Sequence, residues 1–249
     1  MASGRGVALV TGAGRGIGRG VALALASDGW DVAVAGRSPD CLSAIVADIE
    51  KIGASGVAIL VDVRSPGAVA DAVSKIERQL GPIEALVNSA GIQRLSAAVD
   101  VIEADWDDVL DTNLKGAFFC AQSVGRGMLA RGSGAIVNIA SAAALVAVAD
   151  RAAYAASKAG LVMLTKVLAL EWAPRGVRVN AVAPTFVDTA LGRATLDQSG
   201  NREKIVTRIP LGRLAEITDV VAATQFLLDA GASGFITGHV LTVDGGLSL

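Results

Sequence analysis

Short apolar runs alternate with longer amphipathic stretches along almost the whole chain. The runs Val7–Thr11, Asp31–Ala35, Val57–Val61, Ile83–Val87, Ala135–Ile139, Val177–Val182 and His239–Val243 are rich in Val, Ile, Leu or Ala and have turn residues nearby, so each predicts a strand. Between them, Gly16–Ser27, Asp40–Ile52, Pro66–Leu80, Asp105–Ala130, Ala152–Ala173 and Ile217–Asp229 predict helices. Pro66 suits a first helical turn, where its missing N–H would be unpaired anyway. Strands alternating with helices predict an α/β fold: βαβ units building a parallel sheet covered on both faces. No linker, low-complexity tract or short repeat interrupts the pattern, so one domain over residues 1–249 is expected. The long irregular stretch Ala190–Pro210 is polar and punctuated by Gly192 and Gly200. Such an insertion belongs above the carboxyl ends of the strands, where ligands bind, and reads as a substrate lid.

Composition narrows the functions. Charged residues make up 18% of 249, and the mean hydropathy of +0.53 is high. Either the surface is hidden in an oligomer or the protein lives in lipid. No run reaches the ~18 uncharged apolar residues of a spanning helix; the longest candidate, Ile139–Ala149, stops at Asp150 and Arg151. A segment buried against a sister subunit is the expected reading, with no membrane partner. A net charge of −2 offers no basic surplus for nucleic acid. Cys41 and Cys120 lie far apart without a C-x-x-C pair, which suggests a reducing compartment. Met1–Gly6 is too short for a secretory signal, so the cytoplasm is expected. One His rules out a multi-histidine metal site, and any tyrosine chemistry must use Tyr154.

After the first predicted strand comes Thr11-Gly12-Ala13-Gly14-Arg15-Gly16-Ile17-Gly18. Its spacing is G-x-x-x-G-x-G. A tight turn needs Gly, close approach to a pyrophosphate forbids a Cβ, and the following helix aims N–H groups at the anion. Between a strand and an amphipathic helix, this predicts a dinucleotide site. The second strand ends Ala35-Gly36-Arg37-Ser38, without the carboxylate that usually holds an NAD ribose. Arg37, with Arg15, could hold a 2′-phosphate instead, which favours NADP(H) while leaving NAD(H) open. Asp62 and Val63, after the third strand, are candidates for the adenine.

Tyr154 and Lys158 stand at i and i+4, on one face of a helix. A neighbouring ammonium lowers a phenol's pKa and makes it usable as an acid and base. Ser141 follows the fifth strand and could hold a substrate oxygen. Asn113 falls within a long predicted helix, where its amide could hold a water through freed backbone groups. His239, in the last strand, reads as a partly buried interface residue.

Taken together, the chain resembles the short-chain dehydrogenase/reductase family nearly end to end. The resemblance rests on the Thr11–Gly18 loop, Asp62, the Asn88–Gly91 turn, Asn113, Ser141, Tyr154, Lys158, Val179–Pro184 and Asp244-Gly245-Gly246. It implies a Rossmann-type, doubly wound, seven-stranded sheet. It also implies a catalytic tetrad of Asn113, Ser141, Tyr154 and Lys158. Tyr154 would donate the proton, Ser141 would hold the carbonyl oxygen, and Lys158 would lower the phenol's pKa and bind the nicotinamide ribose. Asn113 would hold a water linking Lys158 to solvent. Cofactor contacts are implied at Gly12, Arg15, Gly16, Ile17, Gly18, Arg37, Ser38, Asp62, Val63, Asn88, Ala90, Gly91, Tyr154, Lys158 and Pro184, with Val187 and Thr189 at the carboxamide. A homotetramer is implied, with Asp105–Ala130 and Ala152–Ala173 forming one interface. Ser89 stands where the pattern has Asn, and Thr185 where it has Gly.

The substrate is expected to be a small carbonyl or alcohol compound. A 3-oxoacyl thioester is one reading, supported by the apolar wall of Ala142, Ala143, Ala144, Leu145 and Val146. Arg131 and Arg175 lie where relatives dock an acyl carrier protein. A sugar, sugar acid or polyol is the alternative, supported by Gly91-Ile92-Gln93-Arg94, Pro184-Thr185 and Gly238-His239. The substrate candidates are Gln93, Arg94, Ala143, Leu145, Thr185 and Leu191. A nucleotide sensor or scaffold without turnover is a third reading, opposed by the presence of both Tyr154 and Lys158.

Overall fold

A computed structural model describes residues 5–196 and 201–249. The strands are β1 (Val7–Thr11), β2 (Asp31–Gly36), β3 (Gly56–Leu60), β4 (Ile83–Asn88), β5 (Gly134–Ile139), β6 (Val177–Pro184) and β7 (Val240–Val243). They form one parallel sheet in the order β3-β2-β1-β4-β5-β6-β7. The winding reverses between β1 and β4. That switch point opens a crevice at the carboxyl ends of the strands.

Helices cover both faces: α1 (Gly16–Ser27), α2 (Pro39–Ile52), α3 (Pro66–Leu80), α4 (Glu103–Leu110), α5 (Gly116–Arg131), α6 (Ala152–Trp172), α7 (Ala190–Leu196), α8 (Asn201–Thr207), α9 (Ile217–Leu228) and α10 (Ala230–Ser233). Side chains alternate across a strand, so β1 serves two cores. Ala8 and Val10 pack with Val21, Leu25, Ile45 and Val221. Val7 and Leu9 pack with Ile76, Val124 and Leu168 on the other face. Strands buried on both sides read as continuous apolar runs.

Four expectations change. The helix expected over Asp105–Ala130 is α4, a π-turn at Asp111–Lys115, and α5. A π-turn widens the helix by a residue and often marks a functional site; here it buries Thr112 and Asn113. Of the Ala190–Pro210 insertion, Ala190–Leu196 and Asn201–Thr207 are helical, and Gly200 lies outside the described residues. Leu196 and Ile205, on its two short helices, pack with Ile209 and Leu214 into a core of their own. His239 precedes β7, and its side chain is exposed in this chain. Its N–H donates to Asn180 Oδ1 (3.0 Å). Finally, one helical stretch, Ala152–Arg175, is long and apolar enough to cross a membrane by length and composition, yet half of its most apolar window is buried inside the fold.

Candidate active site

β1 delivers Thr11 to the crevice. The Thr11 hydroxyl accepts the N–H groups of Ser89 (3.1 Å) and Ala90 (3.2 Å), pinning the turn after β4 against the glycine loop. The two turns touch so closely that a Cβ on Gly12 (φ +66°) would lie 2.7 Å from Ala90 Cα. A Cβ on Gly18 would meet the Gly12 carbonyl oxygen at 2.5 Å. α1 starts without a side-chain cap and without an acidic residue in its first turn. Its first N–H groups therefore face the crevice as an anion site. These are the features a dinucleotide pyrophosphate needs, so the residues fit that group.

A cavity of about 600 Å³ runs from this loop to the carboxyl ends of β5 and β6. Arg15, Arg37 and Ser38 lie at one end, together with Gly12, Gly16, Ile17, Gly18, Asp62 and Val63. Ser141, Tyr154 and Lys158 lie at the other, with Gln93, Ala143, Pro184, Thr185 and Leu191; Ala90 sits against Gly12 and Thr189 against Gly16, and Gly91 and Val187 also line the wall.

Around Tyr154, burial sets the electrostatics. Tyr154 sits in the first turn of α6 and is 8% exposed. Burial pushes its phenol pKa up, while a hydrogen bond with Ser141 and the Arg151 cation pull it back down. Ser141 Oγ also accepts the Ala143 N–H (3.2 Å), which fixes the hydroxyl. Lys158 Nζ donates to the Ile139 carbonyl (2.7 Å) and lies 5.8 Å from the centre of the Tyr154 ring. Burial pulls Lys158 down to about 8. Arg151 is thus a second cation acting on the phenol, beside Lys158, to which the sequence pointed.

Four of the expected site residues stand outside the cavity wall. Asn113 is buried, with Oδ1 accepting the Ile92 N–H (2.8 Å) and Nδ2 donating to Ile92 O (2.9 Å) and Ser157 Oγ (3.0 Å). Its amide fastens the loop after β4 to α6. Asn88 faces Asn138 across the sheet and donates to its Oδ1 (2.9 Å) and to Ala117 O (3.1 Å), beneath the cofactor turn. Arg94 turns away to Asp108 (2.8 Å) and Asp105 (3.3 Å) on α4, which present carboxylates close by. Leu145 points to solvent, at the end of a 3-10 turn over Ala142–Ala144.

Asp62 lines the cavity, but Arg64 grips both of its oxygens and holds the carboxyl below its usual range. Arg64 also reaches Asp108 (2.6 Å). The row Asp62–Arg64–Asp108–Arg94–Asp105 ties the end of β3 to α4. Gln93 Nε2 donates to Leu191 O (2.7 Å) and joins the loop after β4 to the lid.

The pattern missed Thr11, Arg151, Phe186, Val148 and Leu247 as site residues. Arg151 did carry a signal: it stands three residues before Tyr154, at the N-cap of α6. Leu247 carried none.

The family model described as enoyl-(acyl carrier protein) reductase matches residues 12–248. The 3-oxoacyl-[acyl-carrier-protein] reductase FabG of Staphylococcus aureus is 42% identical over 242 residues, covering 96% of this chain and 97% of the relative. The gluconate 5-dehydrogenase of Gluconobacter oxydans is 38% identical, covering 97% and 94%. The crystal structure of a gluconate 5-dehydrogenase from Burkholderia cenocepacia in complex with NADP and tartrate superimposes with a TM-score of 0.95 at 36% identity, covering 99% of this chain and 96% of that one. The chain belongs to the short-chain dehydrogenase/reductase family and is a nicotinamide-dependent oxidoreductase acting on CH–OH groups.

Proposed function

We propose that this enzyme interconverts a ketone and a secondary alcohol with NADP(H) as the preferred cofactor, Tyr154 serving as acid and base. The observation that carries the reading is the hydrogen-bonded Ser141–Tyr154 pair beside buried Lys158, at the far end of the cavity from Arg15 and Arg37. The nicotinamide, when bound, supplies or takes up the hydride. Tyr154 Oη gives a proton to the carbonyl oxygen in reduction and takes it back in oxidation. Ser141 Oγ orients that oxygen, and the Arg151 cation favours the phenolate formed as the proton leaves. Lys158 Nζ, held on Ile139 O, is placed to bind the ribose hydroxyls. Asn113 acts as a positioning residue by holding Ile92. Arg15 and Arg37 lie where a 2′-phosphate would sit, and no carboxylate ends β2, which supports NADP over NAD.

For the substrate, Gln93 and Thr185 beside the lid support a carbohydrate-type compound, a sugar acid or polyol. The two cations expected at a carrier-protein dock each donate to a backbone carbonyl of this chain. Arg131 donates to Ile83 O (2.6 Å) beside Glu84, and Arg175 donates to Leu129 O (2.7 Å). A 3-oxoacyl thioester is the second reading, favoured by the apolar wall of Ala142, Ala143, Val146 and Val148. Met163, Val167 and Leu170 form an exposed apolar stripe on α6, which supports assembly through that face as a homotetramer.

Tyr154→Phe tests the mechanism. The ring still packs but carries no proton, so turnover falls by about 10²–10⁴-fold while NADPH affinity, read by fluorescence titration, stays near that of the unaltered enzyme. Retained turnover refutes the role given to Tyr154.

A further inference from the structure

A buried polar atom without a partner is uncommon in a folded chain and asks for an explanation. Among the described residues, the buried side-chain atoms left in this condition are Asn88 Oδ1, Thr112 Oγ1 and Thr185 Oγ1. Asn88 stands beneath the cofactor turn, outside the cavity wall. Thr112 and Thr185 both line the cavity. Of the two, Thr185 is the one at the catalytic end, with Ser141, Tyr154 and Lys158.

The position of Thr185 is set by the sheet. It directly follows β6, and its N–H donates to Val243 O (3.2 Å) on β7. Ile139 of β5 pairs with Val182 of β6. Ser141 lies two residues past Ile139 (141 − 139) and Thr185 three past Val182 (185 − 182). Neighbouring strands run about 4.8 Å apart. The hydroxyls of Ser141 and Thr185 therefore leave adjacent strand ends. Ser141 is the one that orients the reacting oxygen, and the family pattern has Gly where Thr185 stands, so the second hydroxyl belongs to this chain and not to the shared reaction.

Other polar side chains expected at the substrate have taken partners within the chain. Gln93 Nε2 donates to Leu191 O (2.7 Å), and Arg94 is bound to Asp105 and Asp108 outside the cavity. Much of the nearby wall is apolar, formed by Ile92, Ala142, Ala143, Val146 and Val148. In such surroundings an unpaired hydroxyl destabilises the protein, and a ligand group that pairs with it is favoured over an analogue that lacks the group.

We propose that Thr185 is a specificity residue whose Oγ1 hydrogen-bonds a hydroxyl on the carbon next to the reacting carbinol, so that the enzyme acts on vicinal diols and α-hydroxy ketones. The proposal rests on the carbonyl–alcohol reaction proposed above and selects its substrate class. Oxygens on neighbouring carbons lie side by side, as the Ser141 and Thr185 hydroxyls do. A hydroxyl both donates and accepts, so the pairing needs no charge on either side. Oγ1 is enclosed within the chain; a step of χ1 to another staggered position exchanges it with Cγ2 and turns it to the bound molecule. A simple secondary alcohol, or a 3-oxoacyl thioester with its methylene beside the ketone, has no group for this bond.

The test uses three pairs, each a compound with a hydroxyl beside a secondary carbinol and a counterpart without one: butane-2,3-diol and butan-2-ol, threitol and butane-1,3-diol, gluconate and 3-hydroxyhexanoate. kcat/KM with NADP is measured for the unaltered enzyme, Thr185→Val and Thr185→Ser, with acetoacetyl thioester reduction by NADPH as an added arm. At least one diol member is expected to exceed its counterpart by about tenfold or more, the effect of leaving a buried hydroxyl unpaired. Thr185→Val, which keeps the branched shape, erases that ratio; Thr185→Ser keeps most of it. NADPH affinity, read by fluorescence titration, is the same in all three proteins. In urea without substrate or cofactor, Thr185→Val unfolds at a higher midpoint than the unaltered protein, because the orphaned hydroxyl is gone.

A preference for the counterparts overturns the proposal, as does thioester activity alone. Equal losses on both members of a pair in Thr185→Val overturn it, because the residue would then act by shape. A loss of NADPH affinity with the ratio unchanged overturns it by giving the hydroxyl to the cofactor. A urea midpoint that is unchanged or lower in Thr185→Val overturns it by showing that Oγ1 is already paired within the chain. In each of these cases the carbonyl–alcohol reaction itself survives. If no compound in any arm is turned over, the reaction proposal fails and this one fails with it.

Discussion

Replacing Lys158 with Met makes the ligand-free protein more stable at neutral pH while removing a residue assigned to the reaction. Lys158 is 5% exposed, and burial pulls its pKa from 10.5 to about 8. Between those values the unfolded chain holds the proton and the native chain does not, so native stability rises with pH through that window. Below pH 8 the amine is charged in both states, and the native state carries the full penalty of housing the charge. A gap of 2.5 units (10.5 − 8) at about 1.36 kcal/mol per unit corresponds to roughly 3 kcal/mol. Met is similar in length and carries no charge. It forfeits the hydrogen bond to Ile139 O, which subtracts about 1 kcal/mol. The Met variant is therefore expected to be more stable by about 2 kcal/mol at pH 7 and about equal at pH 10, where the native amine is neutral. Urea unfolding at both pH values and one protein concentration reads the difference, and groups common to both proteins cancel. A Met variant less stable at pH 7, or an advantage unchanged at pH 10, refutes the reasoning. The lysine would then be accommodated without electrostatic penalty.

Two further changes probe the cofactor end. Arg37→Asp places a carboxylate where a 2′-phosphate would sit, so the ratio of NADPH to NADH affinity should fall by at least about tenfold, the worth of one charged hydrogen bond; an unchanged ratio of dissociation constants removes Arg37 from that role. Gly12→Ala drives a Cβ to within 2.7 Å of Ala90 Cα at φ +66°, so it should cost about 1–3 kcal/mol of stability in strain and weaken NADPH binding by separating the two turns. Unaltered thermal unfolding and NADPH titration would show that the turns are not packed as described.

What could be read from the sequence and what could not divide along a physical line. Continuous runs such as Val7–Val10 announced buried parallel strands because both faces of the sheet are covered. Tyr154 and Lys158 were visible as a pair because helical spacing is local. The π-turn at Asp111–Lys115 was hidden because one wide turn barely disturbs the apolar period of a long helix. The choice of partner by each charge or amide was hidden for a different reason: it is a tertiary decision. The partners of the Asn88 amide, Asn138 and Ala117, are set by the sheet register and by α5. Arg94 looked like a substrate cation, but α4 brings Asp105 and Asp108 to it. Arg151 looked like the end of an apolar run, yet Phe186, 35 residues later (186 − 151), holds its guanidinium over the cavity. An arginine neutralised by its own chain has little affinity left for a ligand, whereas one fixed in the wall of a cavity has its geometry set in advance. The fold spends Arg64, Arg94 and Arg131 on its own carboxylates and leaves Arg15 and Arg37 in the cavity wall. Chains with the same catalytic residues can therefore differ in substrate through which of their arginines the packing consumes.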